Sequence, residues 1–419
     1  MANDFSKEER VAFEDILLGF EDALVLSRNV NLYRTDQKMM ERANDTIWRP
    51  MPYIAQSFSG TDQTSNFYDS TQLSVPVSIN TSQAVPWKMT AKQLRDDLQE
   101  GRLGKAASQR LASDINVSMM DEAVNKGSLV VPVAAAASGF DDIALAEAVM
   151  NEIGVAQFDR FAALSTRDYN SMASNLADRG TVAGKVLTAY EKAYIGLLAS
   201  FETYKLDYAN RLTAAAGVTV TVDGADQYYT PQGWDSTSNT NIDNRFQTIT
   251  IAVTSGTVAV GDAFTIAGVN SCHLITKKDT GQLKTFRIVE IVSGAGGSGD
   301  VKITPPIISN GGTTAAEAMY QNVTATPADG AAITFLNIAD AYANPFWQRE
   351  SLEIIPGRYE VPTDAGTAVM RASTDQGIEV VMQKWYDIKT MDILFRLDVL
   401  YGVACKNTEF AGILLFGQT

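Results

Sequence analysis

The spacing of hydrophobic residues differs between two parts of the chain. In residues 218–337, Thr, Val and Ile alternate with polar residues in short runs separated by Gly and Ser, whereas long stretches before residue 218 carry Ala, Leu and charge at helical spacing. Alternation with period two predicts strands, because successive side chains of a strand point to opposite faces. The pattern therefore predicts an α+β chain in which a small antiparallel β-barrel or sandwich interrupts a parent domain.

The inserted block contains several runs of strand length, at residues 246–253, 264–267, 285–292, 301–304 and 333–336. The glycine-rich run 294–299 matches the letters of a dinucleotide-binding fingerprint, but a predicted strand follows it where that fingerprint requires a helix. We therefore interpret this run as a hairpin tip. After the block, strands are predicted at residues 352–355, 367–372, 378–382 and 394–404.

Residues 4–40 have the pattern of an amphipathic helical arm. Val11, Leu18, Val25 and Leu32 recur at heptad spacing, and acidic side chains crowd the other faces. Two interpretations stay open. The helix either docks on its own domain, or it forms an acidic interaction arm for a basic partner.

Further helices are predicted at residues 90–126, 141–153, 166–177 and 181–212. The first has a capping box that starts at Thr90, and the glycines Gly101 and Gly104 predict a bend or break near its beginning. Asp142 and Thr166 are the predicted N-caps of the next two helices.

Residues 53–85 are polar and almost free of Lys and Arg. Leu73, Val75, Val77 and Ile79 alternate there with Ser and Pro, which predicts a strand. Two such strands joined by a polar tip would form a long hairpin. An isolated hairpin is only marginally stable in water, so we expect this one to need a neighbour.

The net charge of −15 narrows the possible functions. Proteins that grip nucleic acid present Lys and Arg to the phosphates, so this charge excludes a tight reader of DNA. It is compatible with a container whose wall should not stick to packaged DNA. No apolar run reaches the roughly 18 residues needed to cross a bilayer, and we expect no membrane contact.

Candidate chemistry is sparse. His273 is the only histidine and directly follows Cys272, so in a strand the two side chains point apart and make a poor catalytic pair. No G-x-S-x-G motif occurs, and the His and Cys residues are too few for a metal site. We expect no enzyme activity, no cofactor and no metal ion.

Several segments resemble a known family and occur in the same order as they do there: 44–50 (NDTIWRP), 127–130 (GSLV), 242–250 (IDNRFQTIT), 262–269 (DAFTIAGV), 301–305 (VKITP), 344–347 (NPFW) and 417–419 (GQT). Through them the chain resembles the major coat proteins of short-tailed enterobacterial phages, the Lederbergvirus type. The region 141–211 matches poorly. The resemblance implies the phage capsid fold named after Hong Kong 97 and the function of a major capsid protein.

The resemblance also implies a part for each segment: an N-terminal helical arm (1–42), an E-loop hairpin region (43–87), a spine helix and peripheral domain (88–140), the first part of an axial domain (141–217), an inserted β-barrel domain (218–337), and the remainder of the axial and peripheral domains (338–419). The weak hairpin corresponds to the E-loop, which in the family lies over an adjacent subunit.

Assembly partners follow from the same resemblance. It implies hexamers and pentamers of this chain in an icosahedral procapsid, assembled in the host cytoplasm with a scaffolding protein and a portal protein. The shell expands around packaged double-stranded DNA, without sequence-specific binding, to form the virion head. Fewer than fifty residues precede the expected E-loop, which predicts that the scaffold is a separate protein.

The resemblance points to two groups of contact residues. The family's acid pair in the arm is matched by Glu14 and Asp15, which implies a salt-sensitive contact with basic residues of the scaffold. The polar loop 231–244 resembles the family's loop that reaches across a two-fold axis, with the charged residues Asp235, Asp243 and Arg245. An equal alternative is that Asp243 and Arg245 cap the first strand of the insert locally.

Two other functions stay open from the sequence. A bacterial compartment shell of the encapsulin kind shares the fold and would enclose an enzyme, although the insert argues against it. A binding module, with the β-barrel holding a glycan or protein ligand on a helical carrier, would be a monomer or small oligomer.

Overall fold

The computed structural model describes residues 7–24, 26–33, 46–64, 66–68, 71–90, 97–178, 196–206, 208–215, 217–312, 314–359, 366–374 and 376–418. The chain divides into two compact units. The first unit comprises Met1–Ile47, Val77–Met120 and Glu353–Ala404, and the second comprises Trp48–Pro76, Asp121–Leu352 and Cys405–Thr419.

The α-helices of the described residues are α1 (Lys7–Ala23), α2 (Asp97–Lys126), α3 (Phe140–Ile153), α4 (Thr166–Asp178) and α5 (Ala315–Tyr320). The longest, α2, has 30 residues and is about 45 Å long at about 1.5 Å per residue. None of the helices described has the length and apolar character that crossing a membrane requires.

The first half of the strands comprises β1 (Asn31–Leu32), β2 (Thr46–Pro50), β3 (Ser74–Ser78), β4 (Thr81–Thr90), β5 (Leu129–Val133), β6 (Arg160–Ser165), β7 (Leu197–Leu198), β8 (Phe201–Leu206), β9 (Arg211–Leu212), β10 (Thr219–Val222), β11 (Trp234–Asp235) and β12 (Thr240–Asn241). The second half comprises β13 (Gln247–Ser255), β14 (Ala263–Cys272), β15 (Asp279–Ile291), β16 (Gly299–Thr304), β17 (Ala332–Phe335), β18 (Ala341–Tyr342), β19 (Asn344–Gln348), β20 (Leu352–Pro356), β21 (Ala368–Ser373), β22 (Glu379–Asp387), β23 (Asp392–Cys405) and β24 (Ala411–Phe416).

The first unit is built on one sheet with the order β1-β20-β23-β22-β21, in which β4 also pairs with β23. Trp87 on β4 stacks on Phe395 of β23 with ring centroids 5.5 Å apart. Helix α1 belongs to the same core, since Lys384 of β22 pairs with its Glu9. All four strands predicted after the insert are present here, most of them longer than the sequence pattern suggested.

The second unit contains a closed antiparallel barrel with the strand order β10-β13-β16-β15-β14-β17. Its core is apolar, and the rings of Phe264 and Phe286 lie 5.7 Å apart. Five of these strands were predicted from the alternating pattern and are confirmed. The sequence analysis missed the sixth, Thr219–Val222, which closes the barrel between β13 and β17. The glycine-rich run 294–299 lies between β15 and β16, as expected of a hairpin tip.

The second unit also contains a sheet with the order β5-β24-β19-β6-β8-β7, against which α3 and α4 pack through an apolar cluster. Gly154 ends α3 in the left-handed conformation, with φ of 92°. The predicted α+β class with an inserted antiparallel barrel is therefore confirmed by the strands and helices that form.

The predicted helix 181–212 is wrong where the structure describes it. Residues 181–195 lie outside the described residues, and the chain from residue 197 to residue 212 forms β7, β8 and β9. Strand β8 pairs in parallel with β6, and its Phe201 is completely buried. Pairing with a buried strand overrides a helical pattern, because local propensity is a weak preference compared with tertiary packing.

The predicted N-terminal helix is too long. Helix α1 ends at Ala23, and a 3₁₀ turn (Leu26–Asn29) and the short strand β1 follow, while residues 34–40 lie outside the described part. Strand β1 pairs in parallel with β20, with Asn31 opposite Glu353. Residues 31–32 therefore form a paired strand where the helix was expected to continue.

Helix α2 runs without a break through both glycines that predicted one. A Cβ atom on Gly104 would lie 2.2 Å from Cδ1 of Ile16 on α1, so glycine allows the close approach of the two helices. The capping box at Thr90 falls largely on residues 91–96, which the structure does not describe.

The predicted N-caps are displaced. Gly139 is the N-cap of α3, and the Asp142 carboxylate accepts bonds from the amides of Ser138 and Gly139 instead. At α4 the hydroxyl of Ser165 accepts from the Asp168 amide, while the Thr166 hydroxyl donates to the Leu206 carbonyl.

Candidate functional site

Helix α1 has one exposed face that carries both apolar and acidic side chains. Phe13, Ile16 and Phe20 are buried within the first unit, so the interpretation of a docked helix is correct for this side. Glu14 and Asp15 are exposed on the other side. Val11 and Leu18 flank them, with 59% and 61% of their surface exposed. Since residues spaced by three, four and seven share a helix face, these four side chains form one apolar and acidic stripe, which we call the arm face.

The segment between β2 and β3, residues 51–73, contains no helix or strand among its described residues. We call it the reaching segment. Three of its aromatic side chains are largely exposed: Tyr53 (47%), Phe58 (45%) and Phe67 (88%). Its tip is held by local bonds, since the Asp62 carboxylate accepts from the hydroxyl and amide of Thr64, which lowers the pKa of Asp62. The strand predicted from Leu73, Val75, Val77 and Ile79 is present as β3, and it pairs with β2, which precedes the predicted hairpin region 53–85.

Strands β11 and β12 form a small exposed hairpin within the predicted polar loop 231–244. Asp235 accepts from the Ser238 hydroxyl at 2.7 Å and from the Thr237 amide at 2.8 Å, and these bonds lower the pKa of Asp235. Trp234 beside it is 54% exposed. The charge of Asp235 is therefore engaged in its own turn, while an aromatic ring faces outward.

Asp243 and Arg245 bond to each other rather than projecting as separate charges. Arg245 donates from Nε and Nη2 to the two carboxylate oxygens of Asp243, at 2.9 and 2.7 Å, and from Nη1 to the Cys405 carbonyl. Its side chain is buried and lies over the Phe246 ring. Burial lowers the pKa of Arg245, but the bonds and charge of Asp243 outweigh this and raise it. The structure thus places both residues in a local pair before β13.

The sequence analysis missed two buried cations at the contact between the barrel and the rest of the second unit. Arg287 is completely buried, donating from Nη1 to the Val124 carbonyl at 2.6 Å and from Nε and Nη2 to the Gly261 carbonyl. Burial lowers the pKa of Arg287 to about 10. Lys284, also buried, pairs with Glu409. Alternation along β15 places Arg287 outside the barrel, which predicts contact with solvent, but the side chain is buried and bonded to Val124 and Gly261.

The residues considered for catalysis do not form a site. Cys272 and Cys405 are buried free thiols, and burial raises the pKa of Cys405 to about 12. His273 accepts through Nδ1 from the amides of Ile275 and Thr276, and its ring packs where a Cβ on Gly154 would lie. In the part of the chain that the structure describes, no three potential metal-ligating acids, histidines or cysteines cluster together.

Comparison with known proteins identifies the kind of protein to which these surfaces belong. The family model described as P22 coat protein, gene protein 5, matches residues 1–417. The CUS-3 coat protein I-domain is 44% identical, with 28% of this chain and 96% of that domain covered and a TM-score of 0.24.

Two longer matches are much more distant in sequence. A structure from Mycobacterium phage Che8 is 9% identical over 94% of this chain and 91% of its own, with a TM-score of 0.42. The head structure of Helicobacter pylori bacteriophage KHP40 is 10% identical over 93% of this chain and 88% of its own, also with a TM-score of 0.42. The family model, which covers nearly the whole chain, therefore carries the assignment.

Proposed function

The chain belongs to the P22 coat protein family and is a major capsid protein of a phage head, and we propose that it assembles with a separate scaffolding protein into an icosahedral procapsid. The membership confirms the resemblance drawn from the sequence, and with it the Hong Kong 97-like fold of that family. In the proposal, hexamers and pentamers form in the host cytoplasm around a portal protein. The shell then expands as double-stranded DNA is packaged.

The proposed parts keep the boundaries expected from the sequence: arm (1–42), E-loop region (43–87), spine helix and peripheral domain (88–140), axial domain (141–217), insertion domain (218–337), and axial and peripheral remainder (338–419).

The observation that carries the shell proposal is the reaching segment. Tyr53, Phe58 and Phe67 stay 45–88% exposed in the single chain, although the Tyr68 ring packs edge-on against Phe58 at 6.0 Å. Fully burying a large apolar side chain is worth about 1.5–3 kcal/mol, so a neighbouring copy that covered Phe58 and Phe67 would gain several kcal/mol. Many such modest contacts can close a shell while each stays weak enough to correct assembly errors.

The arm face suits a scaffold segment that is both basic and apolar. Glu14 and Asp15 would pair with Lys or Arg of the scaffold, and Val11 and Leu18 beside them would bury apolar side chains. Val11 and Leu18 are exposed beside the acid pair, whereas Ile16, which follows the pair in the sequence, is buried. Exposed ion pairs are screened by salt, which suits a partner that must later leave.

The hairpin β11–β12 would make the contact across a two-fold axis. Of the three residues proposed for this role, Asp235 lies on the exposed hairpin, whereas Asp243 and Arg245 support the base of the loop. The exposed Trp234 adds an apolar contribution to this proposed interface. The net charge of −15 suits an inner wall that encloses DNA without binding a sequence.

Electron microscopy and sedimentation of the purified chain, with and without the scaffolding protein of the same phage, test the proposal. Closed shells that contain scaffold are the expected result. Discrete small particles at all ratios of the two proteins would contradict it and favour a binding module. Closed shells that exclude the scaffold and retain a cargo enzyme would favour a compartment instead.

A further inference from the structure

The base of the reaching segment is held by a helix of the barrel region. Tyr320, the last residue of α5, donates its hydroxyl to the Thr71 carbonyl at 2.9 Å. Leu73 is buried in a cluster with Ile308, Met319 and Tyr320. Burial raises the pKa of Tyr320 to about 12, so the hydroxyl stays protonated and donates at neutral pH.

Backbone contacts with the polar loop 231–244 also hold residues 72–74. A Cβ atom on Gly233 would lie 2.9 Å from the Gln72 carbonyl oxygen, so only glycine lets the polar loop approach this closely. Ser74 forms a parallel β-bridge with Asp243. The end of the segment and the start of β3 are therefore contacted at Thr71 by Tyr320, at Gln72 by Gly233 and at Ser74 by Asp243.

Asn244 ties the two stems of the polar loop together at this point. Its side-chain oxygen accepts from the Tyr229 hydroxyl at 3.0 Å and the Gln232 amide at 3.1 Å. Its nitrogen donates to the carbonyls of Gln232 at 2.8 Å and Ile242 at 3.0 Å. Since Asn244 is buried, these bonds are shielded from water, and the stem is rigid where it meets the reaching segment.

Helix α5 is itself fixed before it touches the segment. Its capping box pairs Thr314 with Glu317, and the fully buried Glu317 also accepts from the Thr230 hydroxyl. A six-residue helix is too short to be stable alone, so these bonds give Tyr320 a defined position.

We propose that Tyr320, Gly233 and Asn244 form a clamp that fixes the end of the reaching segment against the barrel region of the second unit and so sets the direction of its exposed part. The clamp also couples that segment to the hairpin β11–β12, because Gly233 and Asn244 lie just before and just after this hairpin. Tyr320 is then a positioning residue for an assembly contact. This role rests on the proposed function of the segment as an intersubunit arm, whereas the clamp itself exists in the single chain.

Hydrogen exchange of the unassembled full-length chain, followed by mass spectrometry, tests the clamp. In Tyr320→Phe, which keeps the ring and removes the bond to Thr71, we expect amides of residues 71–76 to exchange about two- to tenfold faster. In Tyr320→Ala, which also removes the ring, we expect a larger increase. Amides of β13 to β16 should keep their rates, since their pairing does not involve this residue.

Tyr401→Phe is the matched control. Tyr401 is completely buried and its hydroxyl is 2.8 Å from the Ser118 hydroxyl, so this variant loses a comparable bond away from the clamp. It should leave exchange at residues 71–76 unchanged. Equal exchange at residues 71–76 in wild type and Tyr320→Ala would overturn the clamp. Faster exchange there with normal shell assembly would support the clamp and contradict the intersubunit role of the segment.

Discussion

The barrel and the reaching segment lie in the same unit but differ in how their side chains are covered. The barrel closes on itself, and its aromatic residues Phe264, Phe286 and Phe335 are at most 8% exposed. The reaching segment buries Leu73 against the cluster around Tyr320 but exposes Phe58 and Phe67. The barrel side chains are thus covered by the barrel's own strands, whereas the reaching segment leaves aromatic side chains exposed in the single chain.

The barrel and the reaching segment differ in how well their side chains are covered because different numbers of paired strands support them. Closure of a six-stranded barrel satisfies every strand edge and encloses an apolar core. The segment leaves from a two-stranded ladder, and a two-stranded hairpin has too little buried surface to be stable in water.

The largest expected effect comes from the barrel core. Phe264→Ala removes a ring that packs on Phe286 and Phe335, and we expect it to lower the free energy of unfolding by about 3–5 kcal/mol. Phe67→Ala is the matched change in the reaching segment. It should alter stability by less than about 0.5 kcal/mol, yet slow shell formation. Urea unfolding and light scattering measure the two effects, and equal loss of stability in both variants would break the comparison.

The second effect concerns the buried charge of the barrel. Arg287→Leu leaves the carbonyls of Gly261 and Val124 without their donor, and we expect a loss of about 2–4 kcal/mol in unfolding free energy. Lys302→Leu is the control, since Lys302 is more exposed and its 3.4 Å pair with Glu290 lies on the surface. That change should cost about 0–1 kcal/mol. Similar losses in the two variants, measured by urea unfolding, would show that burial of the arginine contributes little.

The third effect is a pH dependence. Burial lowers the pKa of Lys277 to about 8 from its ordinary 10.5, so between these values the unfolded chain binds more protons than the folded one. The free energy of unfolding should therefore rise with pH from about 8 to 10.5, by on the order of 1–3 kcal/mol. Lys277→Met should lack this rise. Urea titrations of both proteins across this window check it, and parallel curves would contradict the assigned burial.

A smaller effect on the monomer is expected from the hairpin β11–β12. Trp234 and Asn241 are paired, so a two-residue Asn-Gly turn can replace residues 235–240 and leave the clamp intact. The monomer should keep its unfolding free energy within about 0.5 kcal/mol, because the removed residues are exposed. Shells should dissociate at a lower concentration of urea. An unfolded monomer would instead assign the loop a local structural role.

The smallest effect on stability is expected at the arm face. The double change Glu14→Lys and Asp15→Lys should leave monomer unfolding within about 0.5 kcal/mol while abolishing scaffold-assisted assembly in a turbidity assay. Glu152→Lys with Glu202→Lys is the control, since both residues are exposed and the net charge changes equally. Assembly that survives the first change, or fails equally in the second, would remove the arm face from the proposed scaffold contact.

Local pattern was sufficient for five of the six barrel strands and for the exposed character of Glu14 and Asp15. Alternation fixes which side chains share a face, whereas the four-residue strand β10 was too short to be recognised from it. It was insufficient for residues 197–212, where pairing of β8 with the buried β6 replaced the expected helix. It was also insufficient at Gly104, where a glycine that predicted a bend serves the approach of Ile16.

The clamp had no signal in the sequence. Tyr320 is separated from Thr71 by 249 positions, and a tyrosine at the end of a short helix predicts nothing about a distant carbonyl. The sequence identified Asp243 and Arg245 as charged residues of the polar loop. It left two roles equally open, a contact across a two-fold axis and a local cap of the first strand of the insert. Only the tertiary structure shows that they form an ion pair with each other.

The sequence by itself determined the inserted strand block, the acidic charge and the family to which the chain is similar, because these depend on residue order alone. Tertiary structure decided which outward-facing residues are covered. Arg287 and Phe67 both lie outside any apolar core, yet one is fully buried against Val124 and the other is 88% exposed. A periodic pattern specifies the direction of a side chain, and only the packing of distant segments specifies what it meets there.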